Sequence, residues 1–188
     1  MGEIVLKPLS ALGHETALVE TIGAWTLTER MDVALASLAL RRGREAEVQA
    51  AAKKAAGGAL PGPGRSEVGT FGAFWMTPEM WMIEAPFAAH EDIRAHLLGI
   101  FGDAASVTEQ TDAWVRFDIV GDGLGKVLER LTNFDFGPAA DGAALRTVID
   151  HLGCYLIKRS AGLVTLYGPR SSAESLHHAW VVAATSVL

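Results

Sequence analysis

The chain has 188 residues, 49% of them apolar and 20% charged, and a net charge of −6. That suits one compact domain, or two closely packed halves, with a real core, and it is unlike a disordered chain; with no basic block, a nucleic-acid surface is excluded. The single cysteine, Cys154, excludes an intrachain disulfide, the opening MGEIVLKPLSALG does not read as a signal peptide, and no run approaches the ~20 apolar residues of a membrane span.

Residues 1–20 show no clear period and are expected to form an arm that orders on a partner. IGAWTLTE (22–29) and VALASLAL (33–40) read as strands around Arg30–Asp32. Gly43–Ala56, rich in Ala, Glu, Gln and Lys, reads as a helix stopped by Gly57-Gly58, and 57–69 as a Gly/Pro loop. Residues 71–85 predict a hairpin with Thr77-Pro78-Glu79 at the turn. With Pro78-Glu79 as its tip, Trp75 pairs with Met82 and Phe74 with Ile83. Alternation then sends Phe74, Met76, Trp81 and Ile83 to the core. Trp75 and Met82 are left as the more exposed pair, a candidate partner interface. His90–Phe101 reads as a helix with Ile93, Leu97, Ile100 and Phe101 on one face and Glu91 and Asp92 in its first turn. Val107–Glu109 reads as a short strand.

The second half begins with a strand, Ala113–Val120, then a helix, Leu124–Leu131, with Leu124, Val127, Leu128 and Leu131 on one face. Strands are expected at 145–150, 153–159 and 162–167. A last helix spans about Ser172–Val187, with Leu176, Trp180, Ala183, Ala184 and Val187 as its apolar stripe. The order β-α-β-β-α-β, then β-α-β-β-β-α, predicts an α+β fold in a single domain 1–188. Two related ferredoxin-like β-α-β-β-α halves, 21–110 and 111–188, are packed together in it.

Few residues read as chemistry. Gly121-Asp122-Gly123-Leu124-Gly125 follows a strand and opens a helix, but its spacing fits neither a dinucleotide loop nor Walker A, and Asp122 would meet a phosphate with a carboxylate. A glycine turn with Asp122 as helix cap is expected instead. The six histidines make no metal motif, and His151-Leu-Gly-Cys154 lacks a second pair of ligands. Cys154 reads as a buried, inert thiol. Ser171 and Glu174 have capping-box spacing, and Arg170 reads as a surface residue. Met76, Met80, Trp81 and Met82 at the hairpin fit either core or a partner-facing patch. No catalytic, cofactor-binding or metal-binding residue is assigned.

Four blocks go further: LTERMDVALASLALRRGREAEVQ (27–49), FWMTPEMWMIEAP (74–86), FDIVGDGLGKVLERLTNFDF (117–136) and HLGCYLIKRSAGLVTLYGPRSSAESLHHAW (151–180). Together they resemble gamma subunits of heterotetrameric sarcosine oxidase. The third also resembles the strand-glycine-helix unit of folate-binding aminomethyltransferases, through Gly121, Leu124, Leu128 and Leu131-Thr132-Asn133. The resemblance implies the aminomethyltransferase-type fold and a non-catalytic, cytoplasmic subunit of a bacterial complex. That complex converts sarcosine to glycine, forming hydrogen peroxide and passing the one-carbon unit to tetrahydrofolate. It implies alpha, beta and delta partners, with contact mainly to alpha. FAD, FMN, NAD, tetrahydrofolate and zinc are then held by those other chains. Two alternatives stay open. One is a free-standing folate-binding module, for which Asp118, Asp122 and Asp135 are near the right unit. The other is the equivalent subunit of an N-methylglutamate dehydrogenase.

Overall fold

The computed structural model describes residues 7–56 and 58–188. They form a mixed α/β fold of two antiparallel sheets and four helices. The first strands are β1 (Val19–Ile22), β2 (Trp25–Glu29) and β3 (Val33–Leu40). Helix α1 (Glu45–Ala56) follows, then β4 (Ser66–Glu67), β5 (Gly72–Thr77), β6 (Met80–Pro86), α2 (Ile93–Phe101) and β7 (Ala105–Glu109). The rest is β8 (Trp114–Gly121), α3 (Gly125–Leu131), β9 (Ala144–Ile149), β10 (Leu152–Ser160), β11 (Leu163–Pro169) and α4 (Ala173–Thr185).

One sheet has the order β4-β5-β6-β3-β7 and the other β1-β2-β8-β11-β10-β9. The strands read on either side of Arg30–Asp32 therefore part company: β3 pairs with β6 and β7, whereas β2 crosses to β8. The boundary at 110/111 does not divide the sheets, because β1 and β2 precede it and complete the sheet that follows it.

Burial sorts the side chains into three layers. Val115, Phe117, Ile119, Leu156, Val164 and Leu166 face α3 and α4, whose Val127, Leu128, Leu176 and Trp180 complete one core. Ala34, Leu38, Trp81 and Ile83 face α1 and α2 and meet Val48, Ile93 and Leu97 in a second. Between the sheets lie Leu35, Phe74, Met82, Tyr155, Ile157 and Tyr167. Phe74 stacks on Tyr167 with ring centroids 5.3 Å apart. The arrangement is helices, sheet, sheet, helices. Along one side the sheets are stitched together, with Ser66 N–H donating to the Gly142 carbonyl at 2.7 Å and Ala144 N–H to that of Gly64 at 2.9 Å.

The hairpin departs from its expected register. Thr77 pairs with Met80, so Pro78-Glu79 is the tip, but Trp75 then faces Trp81, Phe74 faces Met82 and Ala73 faces Ile83. Met76 is the extra residue of a bulge, which moves the pairing by one and exchanges partners across the strands. Met82 is fully buried between the sheets, so its expected exposure is corrected; Trp75 is half-buried beside the helix-facing core. Phe74 and Trp81 are both buried. Both faces of β6 are covered from Trp81 to Ala85, so that strand has no solvent side to find.

Two capping expectations also change. Asp92 caps α2 from just outside it, its carboxylate accepting from Ala95 N–H at 2.8 Å. Ser172, in a short 3₁₀ turn, precedes α4 with no side-chain cap bond, so the Ser171/Glu174 capping box does not form. At the other end of the chain, residues 7–18 run along the domain. Ser10 is buried, and the buried Glu29 carboxylate accepts from Leu12 N–H and Leu18 N–H at 3.3 Å each. Arg170 donates to the Leu9 carbonyl at 2.7 Å.

Candidate functional site: an ionic cluster between the sheets

Alternation along β8 sends Val115, Phe117 and Ile119 to the helices and Arg116 and Asp118 to the gap between the sheets. The same rule brings Glu84 from β6, Arg159 from β10 and Thr165 and Tyr167 from β11 to that gap. Arg116 is the bridge. Its Nε and one terminal nitrogen hold Asp118 at 3.0 and 2.9 Å, while the other reaches across to Glu84 at 2.9 Å. Arg159 grips both oxygens of Glu84, at 2.7 and 3.0 Å. Thr165 donates to Asp118 at 2.7 Å and Arg30 does so at 2.9 Å, with Asp32 pairing Arg30 from outside at 2.6 Å.

Three guanidinium groups thus face three carboxylates. Burial works against the Arg116 charge, but Tyr167, Asp118 and Glu84 outweigh it and hold that guanidinium above its ordinary value. Burial, then Glu84, keeps the Tyr167 phenol well above its usual range. Both oxygens of Glu84 and both of Asp118 accept charge-assisted bonds, so neither carboxylate stands free to take a proton from a substrate. Beside the cluster opens a cavity of about 450 Å³, bordered by Arg30, Asp32, Gly72, Arg116 and Arg159. Chemically the cluster is a clamp between the two sheets, with its charges cancelled internally.

The other sequence candidates are scattered. Asp122 is exposed in the turn before α3 and caps nothing; its backbone carbonyl accepts the Trp25 indole N–H at 2.8 Å. The glycine there has a different role from the one a phosphate loop would need. Gly121 has φ +153°, and a Cβ on it would stand 2.3 Å from the Ala24 carbonyl oxygen. It is the close approach of the Ala24-Trp25 backbone, at the start of β2, that requires glycine at the end of β8. Asp135 is exposed in the loop after α3, remote in sequence and role from the clamp. Cys154 is fully buried, and burial pushes its thiol up to about 11. Among the described residues no three His, Cys, Asp or Glu side chains are grouped as a metal site, and no helix is long and apolar enough to cross a membrane.

Sequence reasoning missed Glu84, Arg116 and Arg159. Arg116-x-Asp118 in AWVRFDIV was a readable signal, since residues two apart on a strand share a face. Glu84 was visible as one carboxylate in the apolar run MWMIEA, but its partners are 32 and 75 residues away.

No protein-family model and no curated protein matches the sequence. Solved structures do match. A chain of the heterotetrameric sarcosine oxidase from Corynebacterium sp. U-96, in complex with pyrrole 2-carboxylate, aligns with TM-score 0.75 and 19% identity. The alignment covers 89% of this chain and 87% of that one. The glycine cleavage system aminomethyltransferase T from Bartonella henselae aligns with TM-score 0.63 and 14% identity, over 88% of this chain and 50% of that one. The chain has the fold that these proteins share.

Proposed function

We propose that this chain is the small, non-catalytic gamma-type subunit of a heterotetrameric sarcosine oxidase. The observation that carries the reading is the pair of coverages, 89% and 87%. They fit a counterpart of about the same length within a multi-chain enzyme, rather than one region of a longer chain. The aminomethyltransferase match, by contrast, takes up half of its protein. The four resembling sequence blocks support the same subunit. So does a clamp whose carboxylates are all engaged, which suits a scaffold better than an active site. The first sheet also supports a ferredoxin-like first half: β3, β5, β6 and β7 stand in the order β5-β6-β3-β7, with α1 and α2 as the crossovers.

On this reading the chain works in the cytoplasm with alpha, beta and delta partners and contacts mainly alpha. FAD, FMN, NAD, tetrahydrofolate and zinc belong to those other chains. The complex demethylates sarcosine to glycine, yielding hydrogen peroxide and a one-carbon unit on tetrahydrofolate; N-methylglutamate is the alternative substrate. Trp75, half-buried on β5, is retained as a partner contact, and Met82 is withdrawn because it is buried.

The aminomethyltransferase match favours a second reading, a free-standing folate-binding module using the cavity beside Asp118. Both are tested on the purified chain alone. The subunit reading expects no visible absorbance, no peroxide from sarcosine and no micromolar binding of tetrahydrofolate by calorimetry. Bound flavin or turnover would contradict it, and micromolar folate binding would establish the module instead. Trp75→Glu should leave the isolated chain folded and weaken its capture by the alpha chain; an unfolded variant would place Trp75 in the core.

A further inference from the structure

The second core, between the first sheet and helices α1 and α2, is not filled by the chain's own side chains. A cavity of about 490 Å³ opens there between α1, α2 and the loop that joins α1 to β4. Its floor is Ala73 and Ile83, and Leu97 and Phe101 of α2 form one wall. The opposite wall combines the small Ala52, Ala55 and Ala59 with Leu60, Val68 and Phe71 of the loop. Well-packed interiors leave few voids larger than a water molecule. The volume is in the range of small-molecule sites, about 300–1,000 Å³.

One lining side chain is charged. Glu67 pairs with Ala73 across β4 and β5, so it shares the face on which Ala73 meets the helices. Ser66, its neighbour, turns the other way, is buried, and donates from its hydroxyl to the Gly142 carbonyl at 3.1 Å. Glu67 is exposed at the cavity's edge, and the described lining holds no Lys, Arg or His. An apolar interior with a single carboxylate at its mouth selects for shape and sign together.

We infer that this cavity is a binding site for a compact aromatic or aliphatic amine, its apolar body inside and its ammonium at Glu67. The site lies on the helix-facing side of the sheet, its rim meeting the cavity beside the ionic clamp at Val68 and Gly69, and the inference does not depend on the subunit reading.

The test uses the full chain and three probes that share one indole ring: tryptamine, indole and indole-3-acetate. Amide chemical shifts of Ala52, Ala73, Ile83 and Leu97 are followed by NMR titration, and affinities by calorimetry. Tryptamine and indole should both saturate these shifts. Tryptamine should bind about three- to fivefold tighter than indole, the scale of one exposed ion pair, and indole-3-acetate weakest. Glu67→Gln, at an exposed position, should bring tryptamine down to indole. Ala55→Phe, half-buried on α1, should block all three. Absence of saturable shifts at millimolar probe would overturn the site. So would indole-3-acetate binding as tightly as tryptamine, or undiminished binding to a folded Ala55→Phe chain.

Discussion

The core under α4 and the gap between the sheets are both buried, yet they are built from different materials. Under α4, Trp180, Leu176, Phe117 and Leu166 fill the space with apolar side chains. Between the sheets, Phe74 and Tyr155 occupy one end and Glu84, Asp118 and Arg159 the other, with Tyr167 and Arg116 in contact where the two meet. The apolar core gains from every ångström of surface removed from water, in any rotamer that packs. The ionic end gains little net energy, because desolvation offsets attraction, but it tolerates only one arrangement of its partners. The first stabilises the fold; the second ties one sheet to the other through Glu84, Arg116 and Arg159.

That contrast is open to measurement. The largest effect belongs to the apolar side: Trp180 is fully buried, and Trp180→Ala should lower unfolding free energy by about 3–5 kcal/mol in urea denaturation. A change below about 0.5 kcal/mol would place the ring outside the core. Arg116→Leu removes the bridge but leaves Glu84 with Arg159 and Asp118 with Arg30, so the cost should be about 3 kcal/mol, at the lower end for a broken buried pair. Replacing Glu84, Arg116, Asp118 and Arg159 together by apolar residues of similar volume should cost less than Arg116→Leu alone. A quadruple variant less stable than the single one would assign the clamp a net energy of its own.

These differences also govern what could be read from the sequence. The faces of α2 and α4 were legible because one side of each helix is dry and the other wet, which writes a 3.6-residue period into Ile93, Leu97 and Phe101 or Leu176, Trp180 and Ala183. The middle strands carry no such contrast. MWMIEA is buried on both faces, so its sequence does not say that the second sheet covers Met82, and the bulge at Met76 moves Phe74 onto the face of Met82 and Trp75 onto that of Trp81. The clamp was legible only as Arg116-x-Asp118, since loop connections bring in Glu84 and Arg159 from strands whose neighbours no local pattern specifies.

A smaller effect distinguishes the two regions by pH. Burial raises the Cys154 thiol to about 11, so the unfolded chain releases that proton first as pH rises. Stability from this group is complete below about pH 9 and lost through pH 11, a fall of about 2–3 kcal/mol. Tyr155 and Tyr167, also raised by burial, extend the decline upward. Denaturation series at pH 8, 9, 10 and 11 should show it, and Cys154→Ala should flatten the first part. An unchanged slope in that variant would assign the decline to the tyrosines between the sheets.

The central claim is that this chain acts by assembly, and native mass spectrometry of the protein purified under mild conditions from its own cells tests it most directly. The account predicts one stoichiometric complex in which this 20.0 kDa chain accompanies three different chains and sarcosine yields hydrogen peroxide. A chain recovered alone, or bound to folate with no partner, would contradict it.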